Sequence, residues 1–241
     1  MCGRLVVVQR LTKHPLGNSE FTSYQKLALN SLTPTNTVYL SKTTNLKYRG
    51  PKAPLFLEEN FTVRLIEMLR QGELDCAILA DPFPSAGLDF VDLYEEPFLV
   101  AIPKGHEWSD RKTIGQKELK EQNTLLLGAG HCFRDHVLGV CPELNRFGNG
   151  LTLGEHRSFE GSSLETIRQM VAGGIGITVL PRTSVSNPND RDGLILYIPF
   201  ESPEPTRRVS LVWRKGYPRV EAMKAIARTI RACDLPGARL L

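Results

Sequence analysis

The chain has 241 residues, of which 41% are hydrophobic and 23% charged, a composition typical of a soluble globular protein with one or two domains. No apolar run approaches the roughly 18 to 20 residues that a membrane span needs, and the apolar stretch near the N-terminus is too short for a signal peptide. The five cysteines are scattered and odd in number, unlike a secreted disulfide framework. These features predict a cytoplasmic protein without a membrane partner.

The net charge of +4 is unevenly distributed. Residues 1–50 hold seven Lys or Arg and one acidic residue, which leaves 23 of the 30 basic and 25 of the 26 acidic residues for the rest of the chain. A nearly neutral body offers no electrostatic footprint for nucleic acid. The basic leader is open to two interpretations, a DNA-contacting arm or a solvated segment, and its composition favours the second.

Apolar periodicity predicts an α/β chain. In the first fifty residues only Leu5–Val8 has the pattern of a strand. The later strands are predicted at 55–59, 75–80, 124–127, 153–159, 175–180, 194–200 and 209–213, with an extended stretch at 90–103 that is interrupted near Pro97. Helices are predicted at 62–70, from about 132, at 163–172 after a serine cap, and at 221–233. This order predicts mixed, mostly parallel sheets with ligands at the carboxyl ends of strands.

Cys132 and Cys141 bracket the most informative stretch of the chain. The glycine-rich turn at 128–130 follows an apolar strand, so Cys132 is expected in the first turn of a helix, where unpaired N–H groups and the helix dipole favour a thiolate. Along one helix, nine residues would carry Cys141 about 13.5 Å from Cys132. A disulfide needs Cα atoms within about 7 Å, so bonding the pair would require the helix to unwind or bend. Two ordinary reduced cysteines remain the alternative.

The motif Gly-His-Cys-x-Arg-Asp at 130–135, with a second cysteine nine residues after the first, resembles the regulatory domain of the OxyR group of LysR-type transcription regulators, which sense hydrogen peroxide. Further similar segments lie at 58–62, 72–78, 96–98, 162–167, 170–173 and 212–214. The resemblance covers roughly residues 51–241. It implies a two-lobed, periplasmic-binding-protein-like α/β domain, with lobe I at about 51–94 and 214–241 and lobe II at about 95–213.

The same resemblance implies roles for individual residues. Peroxide would oxidise Cys132, and Cys141 would condense with the product to form a disulfide that switches the conformation and activates oxidative-stress genes. The residues expected to bind peroxide or activate the thiol are Thr62, His131, Asp135 and Arg214.

Taken by themselves, those four polar residues have simpler roles that stay open. Thr62 could cap a helix, and His131 could end a loop. Asp135 could be a solvated carboxylate or an orienting partner for Arg134. Arg214 could complete an edge strand.

Residues 1–50 depart from the LysR-type pattern, because neither a winged helix-turn-helix nor a long dimerising helix is recognisable there. We therefore expect them to form an atypical leader rather than a native domain. The first strand of the family's regulatory domain is not recognisable either, and Leu5–Val8 is the candidate to replace it. The expected partners are hydrogen peroxide and further copies of the chain, in a homodimer or homotetramer. DNA and RNA polymerase are expected of the intact family.

Three other functions are alternatives to a peroxide sensor. A thiol peroxidase would need a peroxidase motif, which is not recognisable, so the chain is not expected to be an enzyme. A zinc site built from His131, Cys132, His136 and Cys141 is disfavoured because one helix cannot point all four at one ion, and no metal or cofactor is expected. A LysR-type domain for a small organic effector remains the alternative that the cysteine pair makes less attractive.

Overall fold

The computed structural model describes residues 5–8, 26–29, 56–58, 60–128, 131–147, 160–161, 163–185 and 193–241. The strands are β1 (Leu5–Val8), β2 (Lys26–Leu29), β3 (Phe56–Glu58), β4 (Cys76–Ala80), β5 (Leu88–Pro103), β6 (Leu126–Leu127), β7 (Glu160–Gly161), β8 (Thr178–Pro181), β9 (Ile195–Pro199), β10 (Thr206–Arg214) and β11 (Arg239–Leu240). The α-helices are α1 (Thr62–Gln71), α2 (Cys132–Val140), α3 (Leu164–Ala172) and α4 (Val220–Arg231). Short 3-10 helices lie at Gln116–Glu121, Pro142–Phe147 and Arg182–Ser184.

The chain divides into two compact units. The central unit contains Glu96–Arg207 and Pro236–Ala238, and the terminal unit contains the described residues of Gly3–Glu95, Arg208–Leu235 and Arg239–Leu241. The chain passes between the units at 95/96, 207/208, 235/236 and 238/239. The crossing at 207/208 lies earlier in the chain than the lobe boundary predicted near 213.

The central unit is built around the second half of β5. That half pairs antiparallel with β8, where Val100 lies opposite Val179, and with β9, where Val100 lies opposite Ile198. The short strands β6 and β7 form a separate parallel pair. One continuous core of buried side chains joins these strands to α2 and α3. Cys132 and Cys141 therefore lie at the two ends of a helix that is packed on this core.

The terminal unit places β4 beside β10 in antiparallel register, with Ile78 opposite Leu211. β1 pairs antiparallel with β2, β3 and β4, and β11 pairs with the first half of β5. α1 buries Leu65, Leu69 and their neighbours against β4. α4 has buried residues at three- and four-residue spacing on one face.

The predicted α/β class is confirmed, but the expectation of mostly parallel sheets is wrong for the described strands. β6–β7 and two isolated bridges are parallel, whereas the antiparallel pairs include β1–β2, β1–β3, β1–β4, β4–β10, β5–β8, β5–β9 and β5–β11. The prediction treated each helix between two strands as a parallel crossover. In the structure the neighbours of β5 and β4 come from distant parts of the chain that return in the opposite direction.

Most predicted elements are present with small shifts of their ends, including the strand at Leu5–Val8 and the helix at Cys132. The expected cap of α3 is also present, since Ser163 accepts a hydrogen bond from the N–H of Thr166 at 3.1 Å. The predicted interruption near Pro97 is wrong, because β5 continues through it. The predicted strand at 153–159 lies outside the described residues, as does most of the predicted leader at 1–50.

No helix in the described ranges combines the length and the apolar character that crossing a membrane requires.

A buried polar pair ties the start of β4 to the turn after β10. The hydroxyl of Tyr217 donates to Oδ1 of Asp75 at 2.7 Å, and both residues are buried. Burial raises the pKa of Asp75 from 3.8 to about 6, although the Tyr217 hydrogen bond and the nearby Arg214 and Arg219 oppose the shift. Burial and the Asp75 carboxylate also raise the pKa of the Tyr217 hydroxyl. Asp75 is therefore a carboxyl group whose ionisation destabilises the fold.

Asp75→Asn should remove part of the pH dependence of folding. The pKa of Asp75 is about 6 in the native state and 3.8 when unperturbed. The stability gained from protonated Asp75 is therefore complete below pH 3.8 and is lost as the pH rises through about 6. An amide cannot titrate, so the free energy of unfolding of the variant should rise relative to the wild type across this window. Urea unfolding at a series of pH values measures the difference.

Asp234→Asn, at an exposed carboxylate of the same unit, is the matched control and should leave the slope unchanged. An equal pH dependence in wild type and Asp75→Asn would contradict the assignment.

Candidate redox site

Cys132 is the first residue of α2, and His131 occupies the N-cap position. Cys132 is half-buried and packs against the core of the central unit, whereas His131 is buried. The first turn of a helix carries N–H groups that are not used within the helix, together with the positive end of its dipole. This position favours the thiolate form of Cys132.

Arg134 connects the first turn of α2 to the strand that precedes it. Its Nη1 donates to the carbonyl oxygen of Leu127 at 3.0 Å, and its backbone N–H donates to the carbonyl of His131 at 2.9 Å. The sequence left open whether Asp135 orients Arg134. Asp135 lies exposed in the same first turn of the helix.

Cys141 lies at the opposite end of α2 as its C-cap residue. It is buried, and its Sγ donates to Oε2 of Glu143 at 3.5 Å. Burial raises the pKa of the Cys141 thiol, and the carboxylate of Glu143 raises it further. Cys141 is therefore held as a protonated thiol while α2 is intact.

Neither thiol is in a disulfide, and the helix between them is continuous. Nine residues at the usual helical rise separate the two Cα atoms by about 13.5 Å, roughly twice the span that a disulfide accepts. The predicted arrangement of two cysteines at opposite ends of one helix is thus present in the structure. A bond between them requires a change in the backbone of α2.

Burial distinguishes Cys132 from the other described cysteines, since Cys76, Cys141 and Cys233 are all buried. Cys76 lies within β4, and burial raises the pKa of its thiol well above the usual value. Cys233 donates from Sγ to the carbonyl of Thr229 at 3.4 Å. Among these four residues, Cys132 alone combines partial exposure with a helix N-terminus.

Within the described ranges no group of three or more His, Cys, Asp or Glu is arranged to hold a metal ion.

The other two predicted site residues belong to the terminal unit. Thr62 is the first residue of α1, but the N-cap of that helix is Phe61, whose N–H is bonded to Oδ1 of Asn60 at 2.9 Å. The alternative that Thr62 caps the helix is therefore wrong. Arg214 is the last residue of β10 and is half-buried.

Arg214 is held by residues that the sequence did not indicate as part of the site. Its guanidinium lies 5.5 Å from the centroid of the Tyr217 ring, and Tyr217 is fixed by its bond to Asp75. On another side its Nη1 occupies the space where a Cβ at position 72 would stand. Gly72 also has a φ of 75°, which ends α1, so a side chain there would both strain the backbone and displace Arg214. In the sequence, the one signal of this arrangement around Arg214 was the glycine that follows the predicted helix at 62–70.

The structure thus places the predicted site residues in two groups, each within its own unit. His131, Cys132 and Asp135 lie together at the start of α2, with Cys141 at its end. Thr62 and Arg214 lie in the terminal unit.

Comparison with known proteins gives one family and several relatives. Residues 39–233 match the family model described as the LysR substrate binding domain. The chain is 40% identical over 181 residues to a hydrogen peroxide-inducible genes activator of Pectobacterium carotovorum subsp. carotovorum, covering 75% of this chain and 57% of the relative. It is 39% identical over 182 residues to the DNA-binding transcriptional dual regulator OxyR of Escherichia coli strain K12, covering 76% and 57%.

Among solved structures, the reduced form of OxyR from N. meningitidis superimposes with a TM-score of 0.77 at 38% identity, covering 87% of this chain and 95% of that one. The chain spans only 57% of the length of the two curated relatives above. The family model, in contrast, covers most of the chain. The chain therefore belongs to the family of LysR substrate binding domains.

Proposed function

We propose that this chain is the peroxide-sensing domain of a transcription regulator, in which oxidation of Cys132 and bonding to Cys141 change the conformation of α2. The observation that carries the proposal is the contrast between the two thiols. Cys132 is partly exposed at a helix N-terminus, while Cys141 is buried at the other end of the same helix. The similarity to proteins named as hydrogen peroxide-inducible genes activators supports peroxide as the oxidant.

The chemistry balances with one peroxide per chain. The Cys132 thiolate attacks one peroxide oxygen and breaks the O–O bond, which yields a sulfenic acid and a hydroxide that takes up a proton to become water. The Cys141 sulfur then attacks the sulfenic sulfur and expels a second water, with the Cys141 proton completing it. Two thiols lose two electrons in total, and peroxide gains them.

The polar residues near the thiol have roles in the first step. His131 and Asp135 flank Cys132 at the start of α2, where they orient peroxide or supply a proton. Thr62 and Arg214 belong to the terminal unit, and their roles in binding peroxide, which the family resemblance implies, remain predictions. A positioned cation stabilises the negative charge that develops on the departing oxygen.

The relatives are regulators rather than enzymes, so we infer a sensor that makes one disulfide per chain instead of turning over peroxide. Its relative from E. coli is named as a DNA-binding regulator, which supports DNA as a partner of the whole protein. RNA polymerase, a homodimer or homotetramer, and a cytoplasmic location remain predictions for this chain.

Treatment of the reduced chain with less than one equivalent of peroxide should give a Cys132–Cys141 disulfide, detected as a cross-linked peptide by mass spectrometry. Cys132→Ser should abolish both oxidation and the cross-link, because the remaining described thiols are buried. Cys141→Ser should stop the reaction at a sulfenic acid on Cys132 that a dimedone probe traps.

Cys233→Ser is the matched control, because serine keeps the hydrogen bond to Thr229 and the site is untouched. A Cys132 that does not react with peroxide would contradict the proposal. Continuous consumption of peroxide in the presence of a thiol reductant would instead indicate a peroxidase.

Arg214→Gln should slow the oxidation of Cys132 by peroxide about 10- to 100-fold, since it removes a cation expected to stabilise the departing oxygen. The rate is measured by quenching with an alkylating agent at timed intervals and quantifying modified Cys132.

Lys215→Gln removes the same charge from the exposed neighbouring residue and should leave the rate within about two-fold of the wild type. Equal rates in all three proteins, or an equal loss in both variants, would exclude Arg214 from the site.

A further inference from the structure

Glu96 is a fully buried carboxylate in the central unit, with 0% of its surface exposed. Its Oε1 accepts a hydrogen bond from Nε of Arg207 at 2.8 Å and lies 2.8 Å from Nη2 of the same guanidinium. Its Oε2 accepts from the backbone N–H of Thr183 at 2.9 Å. Because a buried carboxylate requires a compensating charge, these contacts fix the position of Arg207.

The guanidinium of Arg207 reaches the redox helix. Its central carbon lies 5.4 Å from the ring centroid of Phe133, within the range of a cation–π interaction. Phe133 directly follows Cys132 in the first turn of α2 and is buried. The Phe133 ring also packs edge-to-face on Phe98 at 5.8 Å between centroids. The residue next to the reactive cysteine is therefore held by a fixed cation and by the core.

We propose that Arg207, oriented by Glu96, is a positioning residue of the redox switch: through Phe133 it holds the first turn of α2 in the dithiol conformation and thereby sets the reduction potential of the Cys132–Cys141 pair. The proposal rests on the proposed function, because it concerns the same two cysteines.

The geometry of the helix supplies the link between Phe133 and the potential. A disulfide must bring the two Cα atoms from about 13.5 Å to within about 7 Å, so α2 has to open. We place this opening in the first turn, where it would carry Phe133 away from Arg207, so that their contact belongs to the dithiol form. An interaction made in one of two states shifts their equilibrium toward that state. Weakening it therefore favours the disulfide and makes the potential more negative.

The test is redox equilibration of the full chain with glutathione, in which dithiol and oxidised glutathione exchange with disulfide and two reduced glutathiones. Arg207→Lys keeps a positive charge for Glu96 but loses the planar group that stacks on Phe133. Phe133→Leu removes the ring and leaves the ion pair. Each variant should raise the equilibrium constant for disulfide formation about 10-fold, equivalent to a potential about 30 mV more negative.

The double variant separates the proposed contact from independent effects. If Arg207 acts through Phe133, then Arg207→Lys should have little further effect in the Phe133→Leu background. Additive shifts would show that the two residues act separately and would overturn the proposal.

Arg111→Lys is the matched control in the same unit, since Arg111 pairs with Glu118 and lies 5.7 Å from the ring centroid of Trp108. Its potential should equal that of the wild type. Thermal unfolding of both redox forms supplies the second readout, because damage that weakens both forms equally lowers both melting temperatures and leaves the potential unchanged.

The outcomes distinguish this proposal from the proposed function. If the wild-type chain forms the disulfide and both Arg207→Lys and Phe133→Leu have the wild-type potential, the proposed role of Arg207 is wrong and the proposed sensor function stands. Wild-type chain that forms no disulfide would overturn both. If Arg207→Lys does not fold, Phe133→Leu at the wild-type potential still overturns the proposal, and Phe133→Leu at a more negative potential supports it, since this variant retains the Glu96–Arg207 ion pair.

Discussion

The separation of two thiols by one intact helix governs the behaviour of the central unit. A disulfide requires two Cα atoms within about 7 Å of each other. While α2 is intact, the Cα atoms of Cys132 and Cys141 are about 13.5 Å apart. Closing a ten-residue loop by a disulfide is worth about 2.7 kcal/mol in the chain-entropy model. Burying a single Phe or Val side chain, such as Phe133 or Val137, is worth about 1.5 to 3 kcal/mol. In the proposed switch, the disulfide would therefore offset the exposure of about one such side chain of α2.

The two ends of α2 have opposite effects on the ionisation of the two thiols. The N-terminal dipole favours the anion of Cys132, whereas Cys141 sits at the C-terminal end, where partial negative charge opposes ionisation. Burial and the carboxylate of Glu143 act in the same direction and raise the pKa of Cys141. The order of reaction proposed for the two thiols agrees with their positions, because Cys141 is buried while α2 is intact.

Local signals in the sequence predicted the helix at Cys132 and the cap at Ser163, since both depend on residues within one turn. Long-range pairing was not predictable in this way. Pro97 was expected to interrupt β5, but it lies between the residues that pair with β11 and those that pair with β8, where its missing N–H costs little. Glu96 and Arg207 are 111 positions apart in sequence, so no local pattern connects them. The roles of Thr62 and Arg214 came from family resemblance alone.

The buried pair formed by Glu96 and Arg207 is better suited to fixing a position than to adding stability. The cost of desolvating both charges offsets most of their attraction, while removing one partner costs about 3 to 5 kcal/mol. Such a pair leaves Arg207 a single location, from which it meets the ring of Phe133. The two ends of α2 are consequently held by different forces. Apolar packing of Val137 and Val140 anchors the end near Cys141, and a fixed cation adds to packing at the end near Cys132. The contact with Arg207 therefore lies beside Cys132, the thiol that we propose as the first to react with peroxide.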